Sequence, residues 1–359
     1  MSTVVWLDAL TSKQGTMLGF IAKELEKAGF NTLVTCREYE YTVGSLKRLG
    51  IDPVIVGRYS EGDPYDKVLA DAERILKLIY IVKEKHPAVL VAYPNPSAAR
   101  LAYGVGIPYV GITDSPHAEV PSRLSLPLAS VILCSRAIDP DDIRRYMFRG
   151  GGGAKLIQYE AVDELFWILR SKPNVSYIKS LGLDPGKYVV LRPHEEKATY
   201  YRGLKVGVDV IKLALTLKKE GYVIVLLPRY RNHLKLIREL DSLGVRPRII
   251  QGGYDGVSLT YYAAAVITGG ASIAREAALL LTPGLTYYPG RLAINEYVRS
   301  KGYPLFNVTT NDEVLEIVGK YVKSPKPPYE SVVSKLTKDF EDPMKKLLQT
   351  ITEITGYTK

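Results

Sequence analysis

The stretch Val266-Ile267-Thr268-Gly269-Gly270-Ala271-Ser272-Ile273-Ala274-Arg275-Glu276-Ala277-Ala278 decides how the chain is read. The apolar run Ala263 to Ile267 reads as a buried strand, and Ile273 to Leu281 has helical spacing and helix-forming composition. Between them, Thr268-Gly269-Gly270-Ala271-Ser272 is a turn. Its glycines let backbone approach a ligand closely. The first amides of the helix carry the positive end of its dipole, which suits a phosphate. Glu276, one turn into the helix, is placed to accept hydrogen bonds from a sugar diol. A plain strand-helix turn with a solvated glutamate fits the same residues, since short glycine motifs are common.

Outward from this turn the grammar repeats. Upstream, Tyr188 to Leu191, Val223 to Leu227 and Arg248 to Ile250 read as strands, with helices over Leu204 to Glu220 and from His233 to Leu243. Downstream come strands at Gly284 to Tyr287 and Leu305 to Asn307, and helices over Leu292 to Lys301, Asp312 to Tyr321 and Tyr329 to Ile354. The first half alternates in the same way. Strands are expected at Thr3 to Leu7, Thr32 to Cys36, Pro53 to Val56, Ala88 to Ala92, Tyr109 to Ile112, Ser130 to Cys134 and Lys155 to Gln158. Asp8 to Gly15 reads as a loop before a helix from Thr16 to Ala28. In the long helix Tyr65 to Lys85, Val68, Leu69, Ile75, Leu76, Ile79 and Val82 read as a core stripe.

Continuous apolar strands separated by helices indicate parallel sheets covered on both faces. The expected fold class is α/β with GT-B architecture: two Rossmann-like domains whose parallel sheets face a central cleft, where ligands bind at strand carboxyl ends. The expected segments are a first Rossmann-like domain over 1–165, a linker over 166–186, a second Rossmann-like domain over 187–328 and C-terminal helices over 329–359. The first strand-helix turn lacks the glycine fingerprint of dinucleotide binding, which argues against a nicotinamide dehydrogenase.

Composition narrows the partners. The 359 residues are 46% hydrophobic and 24% charged, an ordinary globular balance, so no fibrous or disordered class applies. The net charge of +10 suits a phosphorylated small substrate and admits peripheral contact with an acidic membrane. The basic residues are scattered and form no tract of five, so no specific nucleic-acid partner is expected. No apolar run approaches the roughly 18 residues of a membrane span. The chain opens on a strand rather than a signal peptide, so a cytoplasmic location is expected. Cys36 and Cys134 read as buried thiols, and His86, His117, His194 and His233 show no metal-ligand spacing. The 26 tyrosines beside 2 cysteines fit a heat-adapted organism.

Four segments carry a family resemblance. They are Trp6-Leu7-Asp8 with Thr11-Ser12-Lys13-Gln14, Asp114-Ser115-Pro116-His117-Ala118-Glu119, Arg192-Pro193-His194-Glu195-Glu196-Lys197-Ala198, and Gly269 to Ala277. Together they resemble the archaeal and bacterial family called domain of unknown function 354. That family is similar to non-hydrolysing UDP-N-acetylglucosamine 2-epimerases and nucleotide-sugar glycosyltransferases. The resemblance implies that Gly270, Ala271 and Ser272, with Gly269, approach the phosphates and that Glu276 holds the ribose diol. Where the epimerases carry His-Gly-Asp after the fourth strand, this chain has Tyr93-Pro94-Asn95-Pro96, so that acid is missing; Asp114 keeps in kind the acid after the next strand.

The resulting expectation is a metal-independent glycosyltransferase that uses a nucleotide-diphospho sugar, UDP-linked by resemblance, as substrate, with an unknown acceptor and no cofactor. The alternatives are a 2-epimerase of that type and a non-catalytic nucleotide-sugar binder. His117, Asp114 or Glu119 is the candidate general base, in a loop at a strand end. Arg192, His194 and Arg229 are candidate cations for the diphosphate or the pocket beside it, Lys13 and Gln14 meet phosphate or acceptor, and Asn295 meets the donor sugar. For each, a structural role as cap, packed loop residue or surface charge fits the same residues.

Overall fold

The computed structural model describes residues 3–148, 153–194, 207–228, 233–321 and 326–357. The chain divides into two compact units, Met1–Trp167 with Phe340–Lys359, and Ile168–Asp339.

The first unit is built on seven strands: β1 (Val4–Ala9), β2 (Asn31–Glu38), β3 (Val54–Arg58), β4 (Val89–Ala92), β5 (Tyr109–Thr113), β6 (Val131–Ser135) and β7 (Lys155–Tyr159). They pair in parallel in the order β3-β2-β1-β4-β5-β6-β7. Among its described residues the second unit has six: β8 (Tyr188–Arg192), β9 (Val223–Leu226), β10 (Arg248–Ile249), β11 (Ala265–Thr268), β12 (Gly284–Thr286) and β13 (Leu305–Asn307). They too are parallel, in the order β10-β9-β8-β11-β12-β13. Strand order reverses beside β1 and β4 in one sheet and beside β8 and β11 in the other. In open parallel sheets such reversals leave a crevice outside the strand carboxyl ends, where ligands bind.

The strands are buried because helices cover both faces; β4, β5, β6 and β11 are buried along their whole length. A charged cluster sits inside this apolar layer. Asp8, on β1, is fully buried and receives both terminal nitrogens of Arg74 at 2.6 and 2.7 Å. Asn95 Nδ2 and Thr35 Oγ1 donate to the same carboxylate, each at 2.8 Å, and Trp6 Nε1 donates to Thr35. With four donors the buried charge is fully solvated by protein, which is what makes its burial tolerable.

Several elements depart from the sequence reading. The first helix spans Ser12–Lys27 and so begins four residues before the expected Thr16. Thr11 caps it by accepting from Gln14 N, and Gln14 Oε1 accepts from Leu10 N at 2.7 Å, which folds the expected loop into a first turn. The helix expected from Leu204 begins at Val210 behind the cap Asp209; residues 195–206 lie outside the described set. The single helix read over Tyr329 to Ile354 is two, Tyr329–Asp339 and Pro343–Thr355, because Asp342 caps a new start and Pro343 takes its first position. The second of these belongs to the first unit, where Tyr357 packs on Phe30 and Glu341 exchanges hydrogen bonds with Glu160.

The long helix spans Pro64–Lys85, and of its expected core stripe Val82 is buried and Ile75 half-buried, while the other four positions are corrected. Arg74, Leu78 and Val82 are its buried residues, whereas Val68, Leu69, Leu76 and Ile79 are exposed. The helix carries two apolar faces, and hydrophobic spacing does not say which one meets the sheet. Arg74 decides it, since its guanidinium must reach Asp8.

Cys36 and Cys134 are free and buried, and burial raises each thiol to about 12. Tyr93, Tyr109, Tyr159, Tyr188 and Tyr287 are also buried, and burial raises every one of these phenols above its ordinary value. The folded chain therefore keeps these protons to a higher pH than the unfolded chain. The thiol contribution is intact below about pH 9 and the phenol contribution below about pH 10, and each is lost as pH rises from there, by about 1.4 kcal/mol per pH unit for each group. Melting temperature is expected to hold up to about pH 9, to decline above it and to fall steeply above about pH 10. A melting temperature that stays flat through pH 11 would contradict this burial.

Candidate functional site

In the first unit, side chains from four places converge at the strand carboxyl ends. Lys13 lies in the first turn of the helix after β1, Tyr93 directly after β4, Asp114 directly after β5, and Tyr159 and Asp163 at and beyond the end of β7. Lys13 Nζ forms ion pairs with Asp114 and, at 2.9 Å, with Asp163, and it lies 5.0 Å from the centre of the Tyr93 ring. The phenols of Tyr93 and Tyr159 both donate to Asp163. Asp163 is 1% exposed, so its charge is balanced by these three donors rather than by water. Burial, and then the Asp163 charge, hold both phenols neutral well above their ordinary range. The Asp114 side chain is 10% exposed and its other oxygen accepts from Ser115 Oγ at 2.8 Å.

His117 and Glu119, proposed from the sequence beside Asp114, are exposed, and Glu119 pairs with Arg123 one helical turn on. Gln14 is engaged at Leu10, which leaves Lys13 as the member of that pair that reaches the carboxylates. Asp163 and Tyr159 were missed by the sequence reading. They follow a strand end, the position that marked Asp114, but no short motif surrounds them. Asn95, in the segment where an acid was expected, caps the helix Pro96–Gly104 and donates to Asp8.

In the second unit the quoted turn lies between β11 and the helix Ser272–Leu279. Gly269 N donates to the Arg192 carbonyl at the end of β8, and a β-carbon at Gly269 would lie 2.3 Å from His194 Cβ. Glycine is required there by the close passage of the β8 loop. Gly270 differs: a β-carbon would meet nothing nearer than Thr268 Oγ1 at 3.7 Å. The turn is pinned by Gly270 N donating to Thr268 Oγ1 at 2.9 Å and Thr286 Oγ1 donating to Gly270 O at 2.7 Å. No side chain caps the helix start at Ala271. The half-buried His194 receives the Tyr287 ring edge-on at 6.0 Å, and its backbone NH donates to the Tyr287 hydroxyl.

Glu276 is 8% exposed; it accepts from Thr260 Oγ1 at 3.1 Å and faces Gly256 so closely that a β-carbon there would lie 2.8 Å from Oε1. Arg275, next to Glu276 on the same helix, is buried and joins two other candidates. Its guanidinium donates to Asn295 Oδ1 at 3.2 Å and to Ser272 Oγ at 3.4 Å. Arg229 lies outside the described residues. A cavity of about 680 Å³ sits at the opposite, amino ends of these strands, lined by Pro185, Tyr261, Thr282 and Lys326 among others. Among the described residues no group of three or more histidine, cysteine, aspartate or glutamate side chains has metal-holding geometry.

The sequence that folds into these two sheets matches a known family. The family described as "Protein of unknown function (DUF354)" matches residues 3–355. The chain belongs to this family. It is 28% identical over 310 residues to "Uncharacterized protein MJ0665" of Methanocaldococcus jannaschii, covering 83% of this chain and 85% of that protein. The DUF354 chain is also similar in structure to the UDP-GlcNAc 2-epimerase of Methanocaldococcus jannaschii solved with UDP-GlcNAc and UDP. That match has a TM-score of 0.69 and 13% identity over 98% of this chain and 100% of the other. A glycosyltransferase from Rickettsia africae matches with a TM-score of 0.56 and 12% identity over 99% and 100%. At these identities the likeness establishes the fold, which is α/β and GT-B-like. No described helix of this DUF354 protein is long and apolar enough to cross a membrane.

Proposed function

We propose that this DUF354 protein is a nucleotide-diphospho-sugar enzyme, and specifically a glycosyltransferase that moves a sugar from a UDP-linked donor to an acceptor hydroxyl. The observation that carries the reading is the Lys13–Asp114–Asp163 cluster: of its two carboxylates, Asp114 reaches solvent and Asp163 is sealed behind it. Transfer needs one base. Asp114 takes the acceptor proton, the acceptor oxygen bonds to the anomeric carbon, and the bond from that carbon to the diphosphate oxygen breaks. The nucleotide half is assigned to the second unit. There the bare backbone of Gly270 and the uncapped amides of Ala271 and Ser272 meet the diphosphate, with the cation of Arg192, and Glu276 accepts from the ribose diol. The charge of the departing UDP is met by these amides and this cation, so no metal enters this proposal.

A second reading, 2-epimerisation, is supported by the epimerase among the similar structures and by Tyr93, whose phenol brings a further proton to the segment where an acid was expected. Incubation with UDP-N-acetylglucosamine separates the readings. Release of UDP that depends on an added acceptor supports transfer. Conversion to the manno sugar without an acceptor replaces it with epimerisation, and binding without either leaves a non-catalytic binder. In the same preparation, Glu276→Ala is expected to weaken UDP binding at least tenfold in titration calorimetry, about 1.4 kcal/mol or more. Affinity within twofold of the parent removes the diol assignment. Glu276→Gln, which keeps the buried shape, checks that the loss is not one of folding.

A further inference from the structure

Of the seventeen large hydrophobic side chains exposed among the described residues, ten lie on one side of the first unit, on or directly after three helices. Six are on the helix Pro64–Lys85: Tyr65, Val68, Leu69, Leu76, Ile79 and Tyr80. Tyr65 is 85% exposed and Tyr80 76%. Tyr103 and Val105 stand at the end of the helix Pro96–Gly104, and Val120 and Leu124 on the helix Glu119–Ser125. These three helices pack side by side. Positions 65, 69, 72, 76 and 79 follow the alternating spacing of four and three that forms a seam between paired helices. This seam points away from Arg74, Leu78 and Val82, which hold the helix to its own sheet.

Together the ten side chains leave on the order of 1,000 Å² of mainly apolar surface, beyond the few hundred Å² usual on a monomer and close to the roughly 800 Å² per partner of a standard interface. We propose that this three-helix face is a self-association surface, which a second copy of the chain covers through the same face. Charge selects that occupant. The solvent-side ionic residues of the long helix mix both signs, Asp66, Glu73 and Glu84 with Lys67, Lys77, Lys83 and Lys85. Mixed signs can pair with themselves across a two-fold axis. An acidic membrane surface calls instead for an excess of cations around the apolar stripe.

Sedimentation velocity on the full chain at micromolar concentration tests this. The expected mass is twice the 39.9 kDa of one chain. Leu69→Glu with Leu76→Glu is expected to give a monomer with an unchanged circular dichroism spectrum, because both side chains lie outside the core. Leu243→Glu, at an exposed apolar position of the second unit, is expected to keep the dimer. A wild-type chain that sediments as a monomer overturns the proposal before any variant is made. So does a dimer that persists in the double variant. A monomer that binds vesicles of acidic lipid, and loses that binding in the double variant, assigns the face to a membrane instead.

Discussion

Asp163→Asn is expected to lower turnover of the nucleotide-sugar substrate about 100-fold or more while the KM for the nucleotide sugar stays within about threefold. The Asp163 carboxylate accepts from Lys13, Tyr93 and Tyr159 at once. An amide at this position brings its own NH2 donors against three donors, so at least one of those bonds is lost. Lys13 then turns more fully toward Asp114, the proposed base. A closer cation and a lost neighbouring anion both favour the charged form of Asp114, so the acid limb of the kcat profile is expected to move to lower pH. A substitution that merely loosened the fold would lower activity without moving that limb. Steady-state kinetics over a pH series, with circular dichroism to verify folding, make the measurement. Unchanged kcat and an unmoved limb would show that the cluster is structural.

The second large effect is on stability. Arg74→Leu is expected to cost about 3–5 kcal/mol, because it leaves the Asp8 carboxylate buried without its cation. Asn95 and Thr35 remain as donors, but neither is charged. Asp8→Leu strands the Arg74 cation in the same way. The double substitution is expected to cost less than either single change, since it buries no unpaired charge. Urea unfolding reports it, and Trp6 fluorescence is a local probe because the indole NH joins this network through Thr35. A shift below about 1 kcal/mol for Arg74→Leu would mean that the pair does not hold this helix on the sheet.

Much of the fold was legible because its signals are local. The thirteen strands among the described residues stand close to where apolar runs put them. The Thr268 to Ser272 turn was readable for the same reason: strand, glycines and helix are consecutive. Boundaries failed where a side chain supplied the signal. Gln14 extends the first helix backward by binding Leu10, and Asp342 with Pro343 starts a new helix inside an unbroken apolar pattern.

The site was legible in its motifs and not in its partners. Lys13 and Asp114 each stood out near a strand end, but that they meet, and that Asp163 joins them 150 positions from Lys13, follows from sheet order. Arg275 shows the same limit: its contact with Asn295 crosses from one helix to the next. What the sequence by itself determined is two parallel α/β sheets, a glycine turn before a helix, and the family. What only the tertiary structure decided is which carboxylates share a lysine and which face of the Pro64–Lys85 helix is outward. The reason is physical. Periodicity records that a face is apolar, while the non-sequential strand order and one buried arginine choose what that face meets.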